Sequence, residues 1–205
     1  MNRTRSISRR QFIALCALLP LATVAAPVGA AAAMKRPTAG RVLVAYFSRS
    51  GNTRVIAGCI GRSLGAEVFE IQPARPYPED YFQTVEQARN ERDSRFRPPL
   101  KSRVANLDAY DTVYLGFPIW GETAPPVIRA FLAEHDLAGK ALIPFITHGG
   151  YGVGDSLKVV AAHAPQARLH EAGLVMQADQ ERQTTEQVSR WLADARPDRR
   201  PAKWR

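Results

Sequence analysis

Apolar positions along the chain switch repeatedly between two periods. Arg41–Phe47 is a near-continuous apolar run, the pattern of a strand buried on both faces. In Asn52–Leu64 the apolar residues Val55, Ile56, Cys59, Ile60 and Leu64 share a helical face, and Gly65 supplies a natural stop. Glu67–Ile71 reads as a second strand. A polar stretch from Gln72 to Ala109 opens with Pro73, Pro76 and Pro78; inside it Glu79–Arg95 has helical character, and Pro98-Pro99 ends it. Thr112–Phe117 predicts a third strand and Ala124–His135 a helix with prolines in its first turn, where a missing N–H costs little. Ala141–Ile146 predicts a fourth strand, although Pro144 cannot donate to a ladder and is awkward there. Asp155–Ala162 follows as a short helix, Leu169–Met176 as a fifth strand, and Glu181–Ala195 as a last helix with Val188, Trp191 and Leu192 inward.

Five strands alternating with helices imply a three-layer α/β fold with a parallel sheet covered on both faces. Right-handed crossovers leave few topologies, of which 2-1-3-4-5 is the common small solution. That order places ligands beyond the carboxyl ends of the strands. Residues 41–195 then form one domain, preceded by a linker at 31–40.

Residues 1–34 are excluded from the fold, with 1–30 read as an export signal. They carry four arginines and no acid, followed by an apolar run. Ser8-Arg9-Arg10-Gln11-Phe12-Ile13 resembles the twin-arginine export signal, a receptor-read address that implies a periplasmic protein. Val28-Gly29-Ala30 satisfies the small-residue rule and puts cleavage after Ala30; the alternative is an uncleaved anchor in the inner membrane. That route exports proteins already folded.

The net charge of +9 becomes informative once located. The N-terminal segment is basic, and the tail 196–205 holds five basic residues against Asp198. Between Arg41 and Ala195 there are 17 basic and 18 acidic residues, so the body is nearly neutral. No basic stripe lies on the folded part, which excludes nucleic acid as the expected partner. The tail reads as a disordered, solubilising segment or as a contact to an anionic membrane surface. Cys16 falls in the export segment, leaving Cys59 as a small core residue and no metal-type Cys/His spacing.

Three loops at strand carboxyl ends carry the candidate chemistry. Ser48-Arg49-Ser50-Gly51-Asn52-Thr53 joins a buried strand to a helix. Helix N-terminal amides lack internal partners and favour an anion, with hydroxyls of Ser48, Ser50 and Thr53 as further donors. The other reading of this loop is ordinary capping by Asn52 or Ser50. It lacks a P-loop lysine and a GxGxxG, which argues against ATP and NAD here. The second loop runs from Gly116 through Phe117-Pro118-Ile119-Trp120-Gly121-Glu122 to Pro126. Trp120 offers a plane for stacking on a flat ring, or covers the loop. The third, Thr147-His148-Gly149-Gly150-Tyr151-Gly152-Val153-Gly154, has four glycines within six residues, which lets its backbone lie against a flat ligand. Tyr151 is a candidate second aromatic wall, and His148 a hydrogen-bonding residue or a proton donor. A phosphate cradle, an aromatic platform and a glycine shelf together match a mononucleotide with a flat ring.

The run Val44-Ala-Tyr-Phe-Ser48-Arg-Ser-Gly-Asn-Thr53 resembles the phosphate-loop signature of flavodoxins. Gly116-Phe-Pro-Ile-Trp120, the Pro125-Pro126 helix start and Thr147-His-Gly-Gly150 resemble the other two FMN loops of a bacterial flavodoxin-like family. Tyr77-Pro78-Glu-Asp-Tyr81 and Pro98-Pro99 are similar to that family's segment after strand two. The resemblance implies non-covalent FMN. Ser48, Ser50, Gly51, Asn52 and Thr53 would hold its phosphate, with the Arg49 backbone. Pro118, Ile119, Trp120 and Gly121 would contact the isoalloxazine ring, and Thr147, Gly149, Gly150 and Tyr151 its pyrimidine side. Gly121-Glu122 stands where relatives often have a second Trp followed by Gly. The implied activity is electron transfer with a redox partner or a small acceptor such as a quinone, as a carrier or as an FMN-dependent oxidoreductase. No catalytic side chain and no metal is required. An NAD(P)H-dependent quinone or FMN reductase is the alternative. A cofactor-free binding module of the same fold is the alternative of another class, against which the intact phosphate loop and Trp120 stand.

Overall fold

The computed structural model describes residues 40–171, 173–177 and 181–194. The export-type segment, the linker up to residue 39 and the basic tail lie outside the described residues. The elements alternate as the hydrophobic pattern predicts: β1 Val42–Tyr46, α1 Asn52–Leu64, β2 Glu67–Glu70, α2 Tyr81–Asp93, β3 Thr112–Pro118, α3 Pro126–Glu134, β4 Ala141–His148, α4 Ser156–His163, β5 Arg168–Leu169, β6 Leu174–Gln177 and α5 Glu181–Asp194. A 3₁₀ turn, Leu107–Ala109, precedes β3. The sheet is parallel in the order β2-β1-β3-β4-β5, with β6 also on β4. Among the described residues no helix is long and apolar enough to cross a membrane.

Period-two alternation sorts the strand side chains into two cores. Leu43, Ala45 and Phe47 of the first strand region join Val113, Leu115 and Phe117 on the face covered by Val127, Ile128 and Phe131 of α3. Val44, Tyr46, Tyr114 and Phe145 face the other way, against Ile56, Ala57 and Ile60 of α1 and Val188 of α5. Leu43, Val113, Leu115 and Leu142 are fully buried, as expected of parallel strands covered on both faces. The buried stripe of α1 runs through Thr53, Ile56, Ala57, Cys59, Ile60 and Gly61. Val55 and Leu64, predicted to face inward, are exposed, because the small residues Ala57 and Gly61 let the helix settle with that side down.

The fifth strand departs from its prediction in an instructive way. Leu169–Met176 is not continuous but splits into β5 and β6, which pair with β4 on either side of Pro144. In a parallel strand the N–H and C=O of one residue point to the same neighbour and alternate along the chain. The Leu142 carbonyl accepts from His170 N–H at 2.9 Å, so Pro144, two residues on, also faces the fifth-strand side. It has no N–H to offer there, and the ladder breaks opposite it.

His135 closes the end of α3. Its Nδ1–H donates to the Phe131 carbonyl at 2.8 Å, its Nε2 accepts from Val104 N–H at 3.0 Å, and its ring stacks on Phe131 at 4.2 Å between centroids. Burial lowers its pKa, the Phe131 carbonyl and Glu134 act the other way, and Arg103 adds to the lowering. A depressed folded-state value contributes stability that is present above the unfolded value of about 6.5 and is lost as pH falls through the folded one. Urea midpoints are expected to drop from pH 7.5 to pH 5.5 more in the native protein than in His135→Gln. Equal slopes would remove His135 from this account.

Candidate functional site

The three loops emerge at the carboxyl ends of β1, β3 and β4, which are neighbours in the sheet. They meet at one cavity of about 460 Å³, within the range of small-molecule sites. Its lining includes Arg49, Ser50, Asn52 and Thr53 from the first loop, Pro118, Ile119, Trp120 and Gly121 from the second, and Thr147, His148 and Gly149 from the third. Ser48, Gly51, Gly150 and Tyr151 do not line it. Pro118 and Thr147 belong to the last residues of β3 and β4, so the strands themselves aim these positions.

The first loop leaves the start of α1 open. Gly51 is the N-cap residue at φ 100°, and α1 has no side-chain cap. Capping by Asn52 or Ser50 is therefore not what the loop does. Ser48 Oγ instead accepts from Gly51 N–H at 3.1 Å and holds the turn together. The first-turn amides of α1 thus keep their partial positive charge, roughly half an elementary charge at a helix N-terminus, for an external acceptor. Thr53 Oγ1 lies 2.9 Å from Thr147 Oγ1, and both residues are buried. Two hydroxyls that share one bond retain one proton to donate outward, and their pairing ties the first loop to the third.

Trp120 has firmer support than a loop residue would suggest. Its ring meets Phe47 edge-on at 5.2 Å and Tyr77 edge-on at 4.9 Å between centroids. Tyr77 O–H donates to Glu91 Oε2 at 2.8 Å, and Gln87 Nε2 donates to Glu91 Oε1 at 2.8 Å. Burial, reinforced by the Glu91 bond, pushes the Tyr77 phenol far above its usual value, so it remains an O–H donor. Trp120 is therefore propped from below while still bordering the cavity.

Backbone bonds clasp the loops. Ile119 N–H donates to the Thr147 carbonyl at 2.8 Å, and Asp155 N–H donates to the Glu122 carbonyl at 3.0 Å. In the third loop Gly150, Gly152 and Gly154 all take positive φ. His148 Nδ1 accepts from Gly150 N–H at 3.0 Å and from Gly152 N–H at 3.4 Å. Nδ1 therefore serves as an acceptor inside the loop, and the first role of His148 is to shape it. Around Gly149 nothing approaches within 4 Å of where a Cβ would stand, so the shelf is open to a ligand. Tyr151 is 88% exposed and points its area to solvent, not to the cavity.

The wall that sequence reading missed is α2. Tyr81, Thr84, Val85, Ala88, Arg89 and Arg92 all line the cavity. They recur at helical spacing, three and four apart, which is the signal that could have found them. Among the described residues no cluster of three or more metal-ligating side chains exists.

The flavodoxin family model matches residues 41–195. No curated protein matches the chain. A Bacteroides uniformis ATCC 8492 protein, assigned as a flavoprotein, is 32% identical, with 76% of this chain and 99% of that one covered at a TM-score of 0.67. A Bacteroides eggerthii DSM 20697 protein, assigned likewise, is 32% identical over 75% of this chain and 96% of its own, at 0.65. A Lactobacillus acidophilus NCFM flavoprotein solved in complex with FMN shares the fold at 19% identity, 75% and 99% coverage, and a TM-score of 0.60. With the match spanning the whole folded body, the chain belongs to the flavodoxin family.

Proposed function

We propose that this protein binds FMN non-covalently and serves as an electron-transfer protein or FMN-dependent oxidoreductase outside the cytoplasm. The observation that carries the reading is the convergence of an uncapped helix start, a supported indole and an open glycine shelf on one cavity. These residues suit the group. The α1 amides with Ser50 and the Thr53–Thr147 pair seat a phosphate. Trp120 and Ile119 bound a flat ring, and the open Gly149 backbone lies along its polar edge. Bound there, FMN supplies the redox chemistry, and the protein's part is to bind, orient and tune it.

The purified protein is expected to be yellow, with flavin absorbance released on denaturation. Ser50→Ala with Thr53→Ala should weaken FMN about tenfold or more, the scale of one or two lost hydrogen bonds to a charged group. Colourless protein that also rejects added FMN would overturn the reading. Tyr81, Val85 and Arg89 are exposed at the cavity rim, so a small reactant reaches the site without entering the core. This favours, as a second reading, an NAD(P)H-dependent quinone or FMN reductase, checked by NAD(P)H oxidation with a quinone acceptor.

Export to the periplasm rests on the Arg9-Arg10-Gln11-Phe12-Ile13 motif. Replacing Arg9 and Arg10 by Lys is expected to hold the protein in the cytoplasm; unchanged fractionation would refute this. Membrane association that survives with the motif intact would point to the uncleaved anchor.

A further inference from the structure

The wall contributed by α2 carries charge as well as surface. Arg89 and Arg92 line the cavity, Arg49 lines it from the first loop, and no carboxylate is among its lining residues. Arg49 is already engaged: its Nη2 donates to the Glu79 carbonyl, and its guanidinium lies 6.0 Å from the Tyr81 ring centroid.

Arg92 has a built place. A Cβ on Gly121 would sit 2.5 Å from Arg92 Nη1, so the absence of a side chain there leaves room for the guanidinium over the indole loop. Arg92 Nε lies 3.2 Å from Asp93 Oδ1, and Asp93 Oδ2 lies 3.7 Å from Arg89 Nε. One carboxylate thus faces two guanidiniums and leaves one positive charge uncompensated. Behind the same loop stands Arg129, whose pKa is lowered by burial; Asp155 opposes that lowering and Arg92 adds to it. Val85 and Ala88, on the same helix face, place apolar surface beside this charge. An FMN phosphate belongs at the α1 N-terminus, whereas Arg92 lies against the loop that carries Trp120.

We propose that this cavity accepts, beside FMN, a second planar molecule bearing its own negative charge, paired with Arg92 and Arg89 and resting its ring on Val85 and Ala88. The proposal deepens the flavoprotein reading and rests on it for the first occupant. Two sources share the chemistry: an anionic quinone, and a nicotinamide nucleotide through its phosphates. At this exposed rim the pairing is weakened by salt, and the apolar surface of Val85 and Ala88 adds to it.

The test is calorimetric titration of the protein saturated with FMN, its FMN content measured by absorbance. The probes are an anthraquinone monosulfonate, oxidised NADP, and uncharged hydroxymethyl anthraquinone. At least one anionic probe is expected to bind about tenfold tighter than the uncharged one, with affinity falling as salt rises. Arg89→Gln with Arg92→Gln should remove that preference while leaving the uncharged probe and FMN affinity unchanged. Arg92→Lys should retain part of it, since it keeps charge but loses the planar fork. Whichever anionic probe responds identifies the source. Equal binding of charged and uncharged probes would overturn the proposal, as would equal losses for both in the double variant. A parallel loss of FMN affinity would also overturn it, by assigning the two arginines to the cofactor's phosphate. Protein that takes up no FMN would overturn the flavoprotein reading and with it this proposal, whereas FMN-loaded protein without the charge preference would overturn this proposal alone.

Discussion

Gly154→Ala is expected to destabilise the protein by about 2–6 kcal/mol, combining left-handed backbone strain with overpacking. Gly154 has φ 54°, and a Cβ there would lie 1.8 Å from the Glu122 carbonyl oxygen. That carbonyl accepts from Asp155 N–H at 3.0 Å, so neither partner can retreat without opening the clasp between the second and third loops. A fall in melting temperature of roughly 5–20 °C follows for a domain of this size, together with weakened FMN binding. Gly152→Ala is the control. Gly152 also has positive φ, 77°, but nothing lies within 4 Å of its Cβ position. It should lose only the conformational part, about 1–3 kcal/mol. If both variants melt alike, the contact with Glu122 does not hold the loops.

The second large effect lies beneath the site. Gly116 pairs in register with Phe145 across β3 and β4, and a Cβ on Gly116 would stand 2.1 Å from Cε2 and Cζ of the Phe145 ring. The ring fills the space above the glycine, the device by which an aromatic side chain shields a glycine in a sheet. Phe145 is fully buried, so it has nowhere to swing. Gly116→Ala alone should cost about 3 kcal/mol, the upper end of overpacking in a close-packed core. Phe145→Leu leaves a void on its own, but combined with Gly116→Ala the added methyl occupies part of it. The double variant should therefore be about 1–3 kcal/mol more stable than the sum of the singles. Strict additivity in urea denaturation would show that the two residues do not share this space. Because the Gly116 carbonyl also accepts from Phe47 N–H at 2.9 Å, and Phe47 packs on Trp120, the single variant should alter Trp120 fluorescence as well.

The uncapped helix start was legible because its cause is local. A buried strand followed by a short-side-chain loop and a helix places open amides at one spot whatever surrounds them. The glycine shelf was legible for the same reason, since three of its glycines adopt a backbone that other residues resist. Tyr151 was not legible, because which way a side chain leaves a loop depends on neighbours contributed by other segments. The break opposite Pro144 was half legible: the missing donor is visible in one residue, but the strand that yields to it lies about 30 residues further on. The support of Trp120 joins Phe47, Tyr77 and Glu91, which are far apart in the chain.

Alternation of apolar periods was enough to dictate a doubly wound parallel sheet, because backbone pairing and burial leave few ways to arrange such elements. It also placed the three loops on one edge, since parallel strands put all their carboxyl ends there. Folding in three dimensions alone determined that α2 closes the fourth side and brings Arg89 and Arg92 over the cavity. A polar helix can face water or cover a site with the same sequence pattern, and only its packing against distant segments distinguishes the two.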